Sequence, residues 1–426
     1  MSGWISTGRA RVIVGGALVL LWAAAAVFGY VRYGLFVFPG PGNDFTFHWI
    51  QSSALRAGEV SSLYTEGGRE SQVETLNAHI LHPETESVPT QPLPYPPLWP
   101  WLITPITLPS PPVGFILWTG LNIVAGLWLA FRAASFLPPR DRLWAVVLVL
   151  TAFPVAFSIY LGQAQVLVAV ALAECYLALR AGKDLRAGLW LSLLIVKPQY
   201  AILLGPLLLW KRRWSAVGGA AAGVTAILAG SVLVAGGSAL LNWPDSFSAY
   251  SGFREDAPQY MVNWRALVLR IFPSISAETG GALILLLGGA TVLCAALAWR
   301  GRWEPRDPSF PARMTLLLLA TLLANYHSHG YGAAILAVPL AALVATRSLS
   351  HATRLAIAAG LLVPNLALTL QTVTSRKGLV LASILLALSL VACFLSLLRE
   401  LWKERREATP RLPLGRPRAQ PELGAE

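Results

Sequence analysis

Apolar runs long enough to cross a membrane recur along nearly the whole chain, separated by short stretches that carry Pro, Gly and Arg. A helix needs about 20 mostly apolar residues to span a hydrocarbon layer roughly 30 Å thick. Such runs lie at 12–33, 112–131, 143–160, 164–180, 215–237, 279–298, 312–325, 331–346, 354–372 and 378–398. They are continuous and rich in Leu, Ala and Val instead of alternating, so they predict helices and exclude barrel strands. Two further runs are ambiguous: 97–109 is short and broken by proline, and 187–210 is interrupted by Lys197-Pro198-Gln199. The first run, Val12 to Tyr33, exceeds the apolar stretch of about 7–15 residues usual in a signal sequence and lacks a convincing small-residue cleavage site, so it is expected to be a retained anchor.

This pattern predicts an all-α, polytopic transmembrane bundle of ten spans, or twelve if both ambiguous runs cross. The bundle is expected to form one domain over 1–398, followed by a basic tail, 399–426, disordered where Pro and Arg accumulate beyond Glu407. Arg9 and Arg11 at one terminus and Arg399, Lys403, Arg405 and Arg406 at the other are expected to be cytoplasmic by the positive-inside rule. The loop 34–97 then faces outward. Ten spans also keep Arg132, Arg140, Arg142, Arg180, Lys183 and Arg186 inside.

Composition agrees: 55% of residues are hydrophobic and only 13% charged, which a water-exposed surface could not accommodate. The net charge of +12 does not point to nucleic acid, because the cations sit at helix ends and in the tail, beside lipid headgroups. Cys175, Cys294 and Cys393 all fall in apolar runs and read as small buried hydrophobes, not as a disulfide frame or a metal site.

The outer loop is acidic, with Asp44, Glu59, Glu66, Glu70, Glu74, Glu84 and Glu86 against Arg56 and Arg69, and it is too long for a simple connector. From Asp44 to Arg56 the spacing of Phe45, Trp49, Ala54 and Leu55 predicts a short amphipathic helix at the interface, capped by Asn43 or Asp44. A second is expected from Arg69 to Ile80. As a helix cap Asp44 would need no other role, but a pattern follows it: Ala54, Gly58, Leu63-Tyr64, then Leu93-Pro94-Tyr95-Pro96-Pro97 and Pro105. Further on come Gly162-Gln163-Ala164-Gln165, Ala187-Gly188 through Lys197-Pro198-Gln199, the basic stop Lys211-Arg212-Arg213-Trp214, and His327-Ser328-His329-Gly330-Tyr331.

In this order the elements resemble the polyprenol-phosphate-mannose-dependent mannosyltransferases of glycosyltransferase family 87, over roughly residues 44–332. The resemblance implies a GT-C type fold and a polyprenyl-phosphate-sugar donor, with mannose as the sugar. It implies a lipid or glycan acceptor, a site on the outer side of the cell membrane, and Asp44 as the base. One position departs: the family often carries an Asp after the late His-x-Tyr, where this chain has Gly332.

The chemistry suits the residues. A polyprenyl phosphate leaves without needing a proton, so transfer to a hydroxyl requires one carboxylate as general base, whereas glycoside hydrolysis generally uses two. Lys197 is the leading candidate to hold the phosphate, since an ammonium in an apolar run costs roughly 2.5–3.5 kcal/mol on insertion scales; a lysine snorkelling to an interface is its plain reading. His327 and His329 are candidate donors to phosphate or sugar, Gln163 and Gln165 either helix-capping groups or part of the site, and Tyr95 a candidate stacking platform for a sugar. No metal, cofactor or nucleotide site is expected, for no Cys or carboxylate spacing accompanies the histidines and no Gly-rich phosphate loop occurs. A secondary transporter or lipid flippase is the alternative class, but the only acid well inside a run is Glu174, for which a partner on a neighbouring helix is expected.

Overall fold

The structure, a computed structural model, describes residues 13–21, 24, 43–60, 63–65, 68, 71, 74–75, 94–248, 257–346, 348–374 and 377–408. The predicted helix at Arg69–Ile80 lies largely outside the described residues, as do most of the first apolar run and the end of the tail. Among the described residues the chain is helical with no strand, and one isolated bridge pairs Met261 with His329.

The elements that frame the site come first. Helix α1 is Asn43–Arg56, α2 Leu98–Leu102, α3 Thr104–Thr107, α4 Pro111–Ala134, α5 Pro139–Thr151, α6 Phe153–Leu161 and α7 Gln165–Arg180. Then follow α8 Asp184–Ser192, α9 Leu204–Trp210, α10 Trp214–Asn242, α11 Trp264–Ile271, α12 Ala277–Ala298, α13 Phe310–Ala324, α14 Ala337–Thr346, α15 His351–Thr374 and α16 Lys377–Ala408. Proline in the first turn starts α4, α5, α6 and α13, where its missing N–H is no loss. Pro154 also explains why α5 and α6 meet at a 46° bend instead of forming one straight helix, since proline cannot continue the ladder of the preceding turn.

Among the described residues α4, α10, α12 and most of α16 are long and apolar enough to cross a membrane, and the bent α5–α6 pair forms a fifth candidate. Their outer faces display Leu233 at 87% exposure and Leu285 at 77%, together with Phe131 and Leu241. Apolar surface of that extent is stable against lipid and not against water. Beyond Arg313 in its first turn, helix α13 is almost wholly apolar and nearly every side chain on it is buried, as a central helix requires; α12, α14 and α16 pack around it.

One end of the bundle gathers the cations. Arg213 pairs with Asp184, Lys211 donates to the Gly301 carbonyl at 2.8 Å, and Arg405 donates to the Leu297 carbonyl at 2.8 Å. Glu174 sits there too, 2% exposed, taking a two-pronged bond from Arg132 at 2.6 and 2.9 Å, a third from Trp128 at 3.1 Å and a fourth from Arg186 at 3.4 Å. This is the neighbouring-helix partnership expected of it.

The two ambiguous runs resolve at opposite ends. Segment 97–109 folds into α2 and α3 and stays beside α1 and α10: Trp49 donates to the Pro109 carbonyl at 3.0 Å, Thr107 to Ser52 at 2.6 Å, and the Leu98 amide to Ser231 of α10 at 3.1 Å. Segment 187–210 leaves the cationic end and returns to it. Helices α8 and α10 run parallel, with the Leu185 carbonyl against Gly219, Gly188 against Ala216 and Ala220, and Ser192 against Gly223. Small residues allow this close approach. The intervening chain therefore has to turn back, and it does so through two short 3-10 turns, Leu193–Val196 and Pro198–Tyr200, before α9. Neither run, taken whole, passes from one end of the bundle to the other. Lys197 occupies the tip of the hairpin, at the end of the bundle away from the cations.

Candidate functional site

Helix α1 lies across that second end. Phe45, Trp49 and Ile50 pack on Ile103, Phe115 and Trp118, but the helix is not the amphipathic interfacial one expected, for Thr46, His48, Gln51 and Ser52 are buried as well and the bundle covers it on nearly all sides. Asp44 and His48, four residues apart, share one side of the helix.

What brings Asp44 to its partner is a glycine. Helix α6 ends at Gly162 in the left-handed region, φ 77°, and a Cβ there would stand 2.6 Å from the Cβ of Phe45 and 3.0 Å from its amide nitrogen. With no side chain in the way, α1 settles on the α6–α7 turn, which Trp118 also holds by donating to the Gly162 carbonyl at 2.8 Å. The next residue, Gln163, then donates its amide to Asp44 Oδ2 at 2.8 Å and accepts from Lys197 Nζ on its amide oxygen at 2.6 Å. The amide orientation is forced, because an ammonium only donates and a carboxylate only accepts.

Lys197 is buried and lies 4.8 Å from the centre of the Tyr331 ring. Tyr331 stacks on His329 at 5.4 Å between ring centres, and His329 meets His327 edge-on at 4.7 Å. The histidine loop is held from the side by the chain leading into α11. The Val262 amide donates to the Ser328 carbonyl at 2.7 Å, and Asn263 donates to the carbonyls of Asn325 and Tyr326 at 2.8 and 2.9 Å. The Arg265 guanidinium packs over Tyr326 at 4.0 Å.

Asp44 is half-buried, walled by protein yet reaching open space. Loss of solvation pushes its carboxyl up from 3.8 to about 6, against the opposing pull of the Gln163 hydrogen bond and of the charges on Lys197 and His327. His329 is held well below the ordinary histidine value, first by burial and then by the neighbouring positive groups. The arrangement is a carboxylate of raised basicity, linked through one amide to a buried ammonium, with two imidazoles near it.

Of the residues singled out from sequence, Asp44, Gln163 and Lys197 are joined directly, and His327 and His329 approach them through Tyr331 and through charge. Tyr95 stacks on His48 at 5.3 Å, and its carbonyl accepts from Tyr64 at 2.5 Å. Gln165 does not join: it is buried at the start of α7, and neither side-chain polar atom has a hydrogen-bond partner among the described residues. Gly332 has no room for an acid, since a Cβ there would meet the Tyr200 hydroxyl at 2.6 Å and a Leu322 methyl at 3.3 Å. Among the described residues no three His, Cys, Asp or Glu gather as a metal-binding group. His48 and Trp99 escaped the sequence reading, although the spacing of His48 from Asp44 on a predicted helix would have placed the two on one face.

The family profile of glycosyltransferase family 87 matches residues 93–325, more than half of the chain. No curated protein and no solved structure matches.

Proposed function

The chain belongs to glycosyltransferase family 87 and is a membrane glycosyltransferase, and from that premise we propose that it moves a hexose, mannose, from a polyprenyl-monophosphate donor to a hydroxyl of a lipid or glycan acceptor. The single observation that carries the reading is the Asp44–Gln163–Lys197 chain of hydrogen bonds, which sets a base and a phosphate-binding cation on the two sides of one amide.

In the proposed reaction the acceptor oxygen attacks C1 of the sugar as its proton passes to the Asp44 carboxylate. The bond from C1 to the phosphate oxygen breaks, and the electron pair leaves with the polyprenyl phosphate. Lys197, with His327 and His329 as donors, meets the charge on that phosphate. Attack from the face opposite the leaving group inverts the anomeric centre, so a β-linked donor gives an α-linked product. A carboxyl near 6 is mostly ionised at neutral pH and is a stronger base than an ordinary aspartate. A leaving phosphate needs no protonation, which fits a site with one carboxylate at its centre.

The cationic end of the bundle is the cytoplasmic one under the positive-inside rule, which puts Asp44 on the extracytoplasmic side of the cell membrane. The transporter alternative loses its intramembrane acid, because Glu174 is committed to Arg132, Trp128 and Arg186. The test is to offer the purified protein either radiolabelled polyprenyl-phosphate-mannose or a nucleotide-mannose, with extracted membrane lipids and glycans as acceptors. Label transferred from the lipid-linked donor alone supports the reading, and transfer from the nucleotide sugar alone overturns it.

A further inference from the structure

The last helix ends in cations that the fold does not use. At that end of the bundle Arg132 and Arg186 are taken by Glu174, Arg213 by Asp184, Lys211 by the Gly301 carbonyl and Arg405 by the Leu297 carbonyl. Arg399 and Arg406 of α16 are exposed and have no acceptor among the described residues. Lys403 reaches Glu407 only at 3.9 Å, with both side chains mostly exposed, a contact that holds neither group firmly in water.

These three cations share one side of α16 with Leu395, Leu398 and Trp402, because the positions follow one another in steps of three and four. Together the six side chains line an open cavity of about 450 Å³. The same side continues into the bundle's length as an apolar stripe, for Leu381, Leu388, Leu395 and Trp402 recur every seven residues and are all exposed. On a helix long and apolar enough to cross a membrane such a stripe faces hydrocarbon. It ends on Trp402, a residue type that favours the level of the headgroups, where the cations begin.

We infer that this cavity binds one anionic phospholipid of the leaflet at the cationic end, its phosphate held by Arg399, Lys403 and Arg406 and its acyl chains lying along Leu395 and Leu388. A free phosphate offers the same charge but nothing to the apolar half of the cavity, and a zwitterionic lipid offers the chains but no net charge. The site lies at the opposite end of the bundle from Lys197 and Asp44, so it stands apart from the transfer reaction.

The experiment is native mass spectrometry of the purified full chain in a neutral detergent, titrated with phosphatidylglycerol, phosphatidylcholine and the deacylated phosphatidylglycerol headgroup, with thermal unfolding measured for each protein. Wild type is compared with the triple variant Arg399→Gln, Lys403→Gln, Arg406→Gln and with a control that removes the same charge elsewhere at this end, Arg140→Gln, Lys183→Gln, Arg302→Gln. Expected are phosphatidylglycerol binding on the order of a hundred-fold weaker in the site variant and within a few-fold of wild type in the control. Phosphatidylcholine and the deacylated headgroup should each bind wild type at least about ten-fold more weakly than phosphatidylglycerol. A folded site variant that binds phosphatidylglycerol as wild type does, or a control that loses as much, would overturn the inference. So would a deacylated headgroup that binds as well as the intact lipid. If the triple variant does not fold, Arg399→Gln and Arg406→Gln singly decide, each expected to bind about five-fold more weakly and overturning the inference if both bind as wild type does.

Discussion

Asp44 and Lys197 interact through Gln163, whose amide donates to the carboxylate at 2.8 Å and accepts from the ammonium at 2.6 Å. The intervening amide keeps opposite charges in one site without direct neutralisation, leaving the carboxylate free to take a proton and the ammonium free to face an anion.

Activity should follow the ionisation of Asp44. The base works only as the carboxylate, so kcat/KM is predicted to rise with pH, with a midpoint of about 6, and to fall again at higher pH, because burial pushes Lys197 down and its charge is lost there. Stability runs the other way. The folded carboxyl binds its proton more tightly than the unfolded one, so this contribution is complete below about 4 and is lost as pH rises to about 6. His48 has the opposite sign, being pushed down when folded. The readout is therefore the difference in Tm between wild type and Asp44→Asn, which should shift against wild type between pH 4 and 6. A difference that stays constant over that window would show that Asp44 is not raised.

Both arms of the hydrogen-bonded chain hold the carboxyl down against burial. Gln163→Leu removes the bond and Lys197→Met removes the charge, so each should move the midpoint of the pH–activity profile upward while lowering activity. A midpoint moving down in either variant would contradict the assigned geometry.

Gly162→Ala should harm the site through position alone. The alanine is strained at φ 77° and its methyl collides with Phe45, so α1 and Asp44 must withdraw from Gln163. A displacement on the order of 1 Å can cost 10²-fold in rate. Comparing kcat with Tm tells whether the protein remains folded when activity falls.

The fold was legible because helix length and apolar continuity are local properties, and the runs from 112 onward reappear as helices at close to the expected positions. What the sequence could not settle was direction at the ambiguous segments. Whether 187–210 crosses or returns depends on Gly188 and Gly219 letting α8 lie parallel to α10, a contact between distant stretches. The site was legible in part: Asp44, Gln163 and Lys197 stand far apart in the chain and were found as separate motif pieces. Their linkage depends on a collision avoided at Gly162, which no single run of sequence encodes.

Glu174 gives a contrasting prediction. Its bonds tie α7 to Arg132 of α4 and Arg186 of α8 far from Asp44. Glu174→Gln should lower Tm by weakening this buried anchor, with donor KM and the pH midpoint unchanged. A shift in the pH midpoint would instead tie Glu174 to the chemistry.

The most direct test of the central claim is single-turnover transfer of labelled sugar from a polyprenyl-phosphate donor, measured side by side for wild type and Asp44→Asn at pH 7.5. The account predicts a fall of about 10²–10⁴-fold in the mutant, with donor binding retained. A mutant that transfers within a few-fold of wild type would contradict Asp44 as the base.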